Sequence, residues 1–123
     1  MKKYSEEHVW IATEASSPLL ATVGITVHAQ DVLGDIVFVD LPAIGAVFSA
    51  GATAGVVESV KAAADVFIPA GGTVVEVNEA LRADPALANI DPLGAGWFFK
   101  ITLTQAQELD ALMDEAAYAN FAP

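Results

Sequence analysis

Short β-branched runs, each cut off by glycine or proline, recur along the chain and leave little room for long helices. Asp35-Ile36-Val37-Phe38-Val39-Asp40 lies between Gly34 and Pro42, and Thr73-Val74-Val75-Glu76-Val77-Asn78 follows the Gly71-Gly72 pair. Gly55 to Val60 and Val66 to Ile68 flank Lys61 to Asp65, the layout of a hairpin. Val9 to Ala12, Leu19 to Val23, Ala46 to Ser49 and Trp97 to Leu103 read as further strands, with Ala15-Ser16-Ser17-Pro18 and Asp91 to Gly96 as turn-rich connections. Strands this short pack as a small sandwich or barrel. With 123 residues the chain is expected to form one domain, spanning 1–123.

Helical signals are few. Thr26 is a candidate N-cap for a short helix over His28 to Leu33, and Gly34 can take the left-handed position that ends it. Glu79 to Ala83 suits one helical turn, stopped by Asp84-Pro85. Thr104 with Gln107 fits a capping box opening a C-terminal helix through about Met113, whose apolar face would be Leu109, Leu112 and Met113. A second turn falls near Glu115 to Asn120. Val56-Val57-Glu58 and Val74-Val75-Glu76 echo each other 18 residues apart, a hint of a doubled β unit.

Composition narrows the function. A net charge of −11 leaves too few cations to neutralise phosphates, so nucleic acid is excluded as a partner. Cysteine is absent, which removes thiolate nucleophiles, disulfides and Cys-based metal sites. His8 and His28 stand alone in sequence, without carboxylates at metal-ligand spacing, so no metal site is expected. No apolar run is long enough to span a bilayer, and the N-terminus turns acidic at Glu6-Glu7 without a signal-peptide core. The expectation is a soluble, cytoplasmic protein.

Lys61 carries most of the functional information. Lys61 and Arg82 are the only cations between Lys3 and Lys100, and Lys61 sits between a β-branched run and Ala62-Ala63-Ala64. An ordinary solvated lysine does nothing. A Schiff-base lysine needs apolar burial to lower its pKa, which three alanines cannot provide, and Glu58 and Asp65 would favour the ammonium instead. An acylation site needs an amine protruding from a turn with small flanks. The sequence fits the third case best.

Glu58-Ser59-Val60-Lys61-Ala62, together with Tyr4 to Trp10, Gly24 to Gln30, Leu33 to Pro42, Val77-Asn78, Leu81, Pro85, Leu87, Asn89, Pro92 and Gly96-Trp97, resembles the H proteins of the glycine cleavage system over nearly the whole length. The resemblance implies a mainly β fold, the flattened barrel-sandwich of lipoyl and biotinyl domains, with a short internal helix and C-terminal helices. It implies lipoic acid joined by an amide to Lys61, and no catalysis by the carrier itself. The lipoyl arm would take the aminomethyl group of glycine from a pyridoxal-phosphate glycine decarboxylase (P protein) and deliver it to an aminomethyltransferase (T protein). Dihydrolipoamide dehydrogenase (L protein) would then reoxidise it. A lipoate ligase or octanoyl/lipoyl transferase would attach the group, with Glu58 and Asp65 as its recognition residues. A monomer is expected.

Val9, Val27, Val32 and Ala64 stand where the family has polar residues around the loaded arm. Valine accepts no hydrogen bond, so Glu7, Ser59 and Asp65 would have to supply that polarity. These departures keep open an H-like relay that donates lipoate to other complexes. A small unmodified binding module is the alternative from another class.

Overall fold

The computed structural model of the chain describes residues 1–122. Among the described residues nine strands form two sheets. They are β1 (Lys2–Tyr4), β2 (Val9–Glu14), β3 (Ser17–Ile25), β4 (Ile36–Asp40), β5 (Val47–Phe48), β6 (Thr53–Ser59), β7 (Ala63–Phe67), β8 (Gly72–Val77) and β9 (Phe99–Leu103). One sheet runs β1-β2-β3-β9-β8-β5 and the other β4-β6-β7, and every pairing is antiparallel. Among the described residues no strand pair joins the two, so the flattened barrel-sandwich is open rather than closed.

Period-two alternation builds the core. Val9 and Ile11 on β2, Val23 and Ile25 on β3, and Phe99, Ile101 and Leu103 on β9 point inward, while Thr102 between them faces solvent. They meet Ile36 and Val39 of β4, Val57 of β6 and Val66 of β7 from the opposite sheet in one apolar cluster. Trp10 and Tyr4 leave the other face of the first sheet. They are covered by α4 (Glu115–Phe121), whose Tyr118 stacks on Tyr4 at 4.6 Å between ring centroids. The C-terminal helix therefore buries an aromatic face that the β1–β2 pair cannot bury alone.

The short helices sit close to their expected places. The first, α1 (Val27–Leu33), is capped by Thr26, whose hydroxyl accepts from Ala29 N, and α2 occupies Glu79–Ala83. Gly34 ends α1 with φ 78° and ψ −154°, an extended positive-φ conformation rather than the expected left-handed one. That region is essentially closed to any side chain. A further turn, α3 (Leu87–Ile90), and the strand β1 carried no periodic signal strong enough to read in advance.

Three expectations change. The capping box at Thr104 and Gln107 does not form: Ala106–Ala111 is a 3-10 turn without a side-chain cap. Met113 and Tyr4 exchange backbone hydrogen bonds at 2.8 and 2.9 Å, which pulls Leu112 and Met113 into extended backbone and leaves no length for an α-helix. Glu108, within the turn, accepts from Gly71 N at 2.9 Å. The first turn is tighter than expected, since Ser17 and Pro18 already belong to β3. Pro18 precedes the stretch paired with β9, so its missing N–H costs nothing there. The echo also fails: Val57 is buried in the second position of its triplet but Val74 in the first, so the two copies are out of phase.

Candidate functional site

The β6–β7 hairpin carries Lys61 at its tip. Its turn, Val60 to Ala62, is shorter than the expected Lys61 to Asp65, because Ala63, Ala64 and Asp65 are already in β7. Ser59 builds the turn. Its hydroxyl accepts from Lys61 N at 3.2 Å and Ala62 N at 3.1 Å and donates to Ala62 O at 3.1 Å. One proton and two lone pairs are then all in use. Val60 N donates to Asp35 O at 3.0 Å, tying the tip to the start of β4.

Lys61 is exposed. Among the described residues the one ion pair joins Arg82 to Glu79, so the Lys61 ammonium is unpaired. Its stem crosses Gly34: a Cβ added to that glycine would stand 2.9 Å from Lys61 Cε. Val37, Glu58, Val60, Ala62 and Ala63 border a shallow hollow around it. Glu58 lies opposite Ala63 and Asp65 opposite Val56, so both carboxylates project from the outer face of the hairpin on a diagonal. Phe38, half-exposed, pairs with Glu58 across β4, and Asp40 pairs with Val56. The tip thus rises from a surface both acidic and apolar. A protruding, unpaired primary amine on a rigid turn fits acylation and does not fit a buried Schiff base.

The structure brings together two histidines that looked isolated in sequence. The His8 and His28 rings lie 4.4 Å apart, and His8 Nδ1 is 2.7 Å from the Tyr118 hydroxyl, which is itself 2.8 Å from Thr26 Oγ1. No spacing signal reveals this pairing, because the turn between β1 and β2 meets α1 only through the fold. His8 holds φ 65°, an uncommon conformation for a residue with a Cβ. Among the described residues no group of three or more His, Cys, Asp or Glu is placed to hold a metal.

The His8–Tyr118 contact latches α4 to the turn between β1 and β2. Burial and the neighbouring His28 lower the His8 pKa, with Glu7 opposing them. The folded chain then binds this proton less readily than the unfolded one. Stability falls as pH drops through about 6.5, the ordinary histidine value, and keeps falling until the lowered folded value is passed. Tyr118 and Phe121 of α4 and His28 of α1 face the ring. Thermal melts between pH 7.5 and 5.5 should show a loss of Tm that His8→Asn reduces, since asparagine tolerates the positive φ without titrating. Equal slopes for the two proteins would contradict the latch.

Comparisons with known proteins identify the family. The family model described as glycine cleavage H-protein matches residues 2–123. The chain belongs to this family. The glycine cleavage system H protein of Chromobacterium violaceum is 56% identical over 117 residues, covering 95% of this chain and 90% of that protein. The H protein of Methylocella silvestris is 56% identical over 119 residues, covering 97% and 93%. The crystal structure of a glycine cleavage system H protein from Mycobacterium marinum superposes with a TM-score of 0.87 at 42% identity, over 97% of this chain and 94% of that one. The open sandwich is therefore the lipoyl-carrier fold, and H-protein membership gives the chain the role of a lipoyl-bearing, non-catalytic carrier in the glycine cleavage system. Among the described residues no helix of the chain is long and apolar enough to cross a membrane.

The residues expected to border a loaded arm divide unevenly. Val9, 1% exposed, is a core residue of the sandwich, whereas Val27 and Val32 lie on the exposed side of α1. Ser59 is consumed by the turn, which removes it as a polar substitute. Glu7 and Asp65 remain exposed with free carboxylates.

Proposed function

We propose that Lys61 is the lysine amide-linked to lipoic acid, and that residues 1–123 act as a single carrier domain. The supporting observation is the unpaired amine at the hairpin tip, set in a turn whose backbone bonds are satisfied without the lysine side chain. When bound, the lipoyl group supplies a disulfide for transfer of the aminomethyl group of glycine. The chain itself supplies a rigid turn, an exposed nitrogen and an acidic-apolar docking face. Tethering raises the effective concentration of the carried group at each docked partner.

Membership of the family implies interaction with components of the glycine cleavage complex. We assign these partners as glycine decarboxylase, aminomethyltransferase and dihydrolipoamide dehydrogenase, visited in turn by a cytoplasmic monomer. Glu58 and Asp65, both free of ion pairs on the outer face of the hairpin, are assigned to recognition by the lipoate ligase or octanoyl/lipoyl transferase. Glycine–carbon dioxide exchange by glycine decarboxylase is expected to depend on the lipoylated chain. A chain that accepts lipoate yet supports no exchange would instead be a relay.

A further inference from the structure

Asn89 of α3 lies 28 positions beyond Lys61, yet it holds the surface on which the lysine stem rests. Its Nδ2 donates to Gly34 O at 2.8 Å and to Gln30 Oε1 at 3.0 Å, and its Oδ1 accepts from Ile36 N at 2.8 Å. One side chain thereby fixes the last turn of α1, the Gly34 elbow and the first residue of β4. The hairpin tip docks between the latter two, through Val60 N to Asp35 O. Gly34, in a conformation only glycine adopts, leaves the gap through which the Lys61 methylenes pass.

The energetics favour such a bracket. A free lysine side chain surrenders rotamer freedom when it is held in one orientation. A slot that already restricts the stem removes part of that cost before the modifying enzyme arrives. Modification forms a bond between Nζ and the acyl carbon of an activated lipoyl or octanoyl donor, an adenylate or a thioester. The Lys61 ammonium gives up one proton to become the attacking amine and a second as the amide forms, and the donor's leaving group departs with the bonding pair.

We propose that Asn89 is a positioning residue for lipoylation: by fixing Gly34 it keeps the Lys61 stem in its slot, so that the amine meets the acyl-transferring enzyme in one direction. The proposal rests on Lys61 being the attachment lysine.

The test combines NMR, enzymatic lipoylation and chemical acylation of the full chain. In the wild type a nuclear Overhauser effect between Lys61 Hε and Gly34 Hα is expected, and Asn89→Ala should lose it. The kcat/KM for lipoylation by a purified lipoate ligase should fall about tenfold or more in Asn89→Ala, in line with the cost of misplacing a reacting atom. Acetylation of Lys61 by acetic anhydride, which needs no docking, should be unchanged. Asn89→Asp keeps the acceptor for Ile36 N but sets an oxygen against Gly34 O and Gln30 Oε1, so it should behave like Asn89→Ala; it serves if the alanine variant fails to fold. Asn78→Ala is the structural control. Asn78 makes two side-chain bonds, to Ala95 O and Trp97 O, away from the tip, so its loss should lower Tm without lowering kcat/KM. Absence of the wild-type Overhauser effect, wild-type kcat/KM in the Asn89 variants, or an equal loss in Asn78→Ala would each overturn the positioning role. A wild type that takes no lipoyl group at Lys61 would overturn the attachment assignment itself, and this proposal with it.

Discussion

Lys61→Ala is expected to melt like the wild type and to accept no lipoyl group. The side chain is exposed and unpaired, and every hydrogen bond of the turn comes from Ser59 or from backbone. Its removal should therefore change stability by less than about 0.5 kcal/mol, as for surface substitutions away from caps and cores. The loss of modification should be complete because no other lysine is presented this way. Lys2 and Lys100 lie along strands, their ammonium groups 5.1 and 5.3 Å from the ring centroids of Trp10 and Trp97. Lys61→Arg should fail equally, since a guanidinium stays protonated and is a poor acyl acceptor. Intact mass after exposure to lipoate ligase, beside a urea melt, checks both halves. A large loss of stability would mean that the side chain is structural.

Gly24→Val should produce a large loss of stability. Gly24 pairs directly with Trp10, and a Cβ there would stand 2.7 Å from Cε2, Cζ2 and Nε1 of the indole. The ring cannot retreat: Nε1 donates to Pro92 O at 3.0 Å, and Tyr4, Tyr118 and Trp97 pack around it. Replacing a strand glycine normally gains roughly 0.5–1 kcal/mol through the lower entropy of the unfolded chain. Overpacking costs about 1–3 kcal/mol, and dislodging a buried tryptophan is comparable to the 3–5 kcal/mol of a Trp→Ala change. The clash wins. Urea unfolding should show a net loss of at least about 2 kcal/mol, with a red shift in tryptophan emission as Trp10 leaves its site. Unchanged stability would show that the ring does not rest on Gly24.

The legible parts of the chain are those set by local chemistry. β-branched runs bounded by glycine and proline mark most strands, and Thr26 caps α1 as its sequence indicates. Lys61 is conspicuous because cations are scarce around it, and the hairpin places it at the tip. Long-range polar contacts have no period and stay hidden. Asn89 beneath Gly34, the tilted His8–His28 contact and the Met113–Tyr4 bridge all join segments far apart in sequence. The last of these also explains why no α-helix follows Thr104: a capping-box sequence there loses to a tertiary hydrogen-bond pair nine residues on. Ser59 shows the opposite error, since a residue expected to substitute in the cleft is spent on shaping the turn.

Peptide mass spectrometry of the chain after reaction with lipoate ligase tests the central assignment most directly. The expected result is one lipoyl group, carried on the peptide that contains Lys61. No modification, or a lipoyl group on Lys2, Lys3 or Lys100 instead, would contradict it.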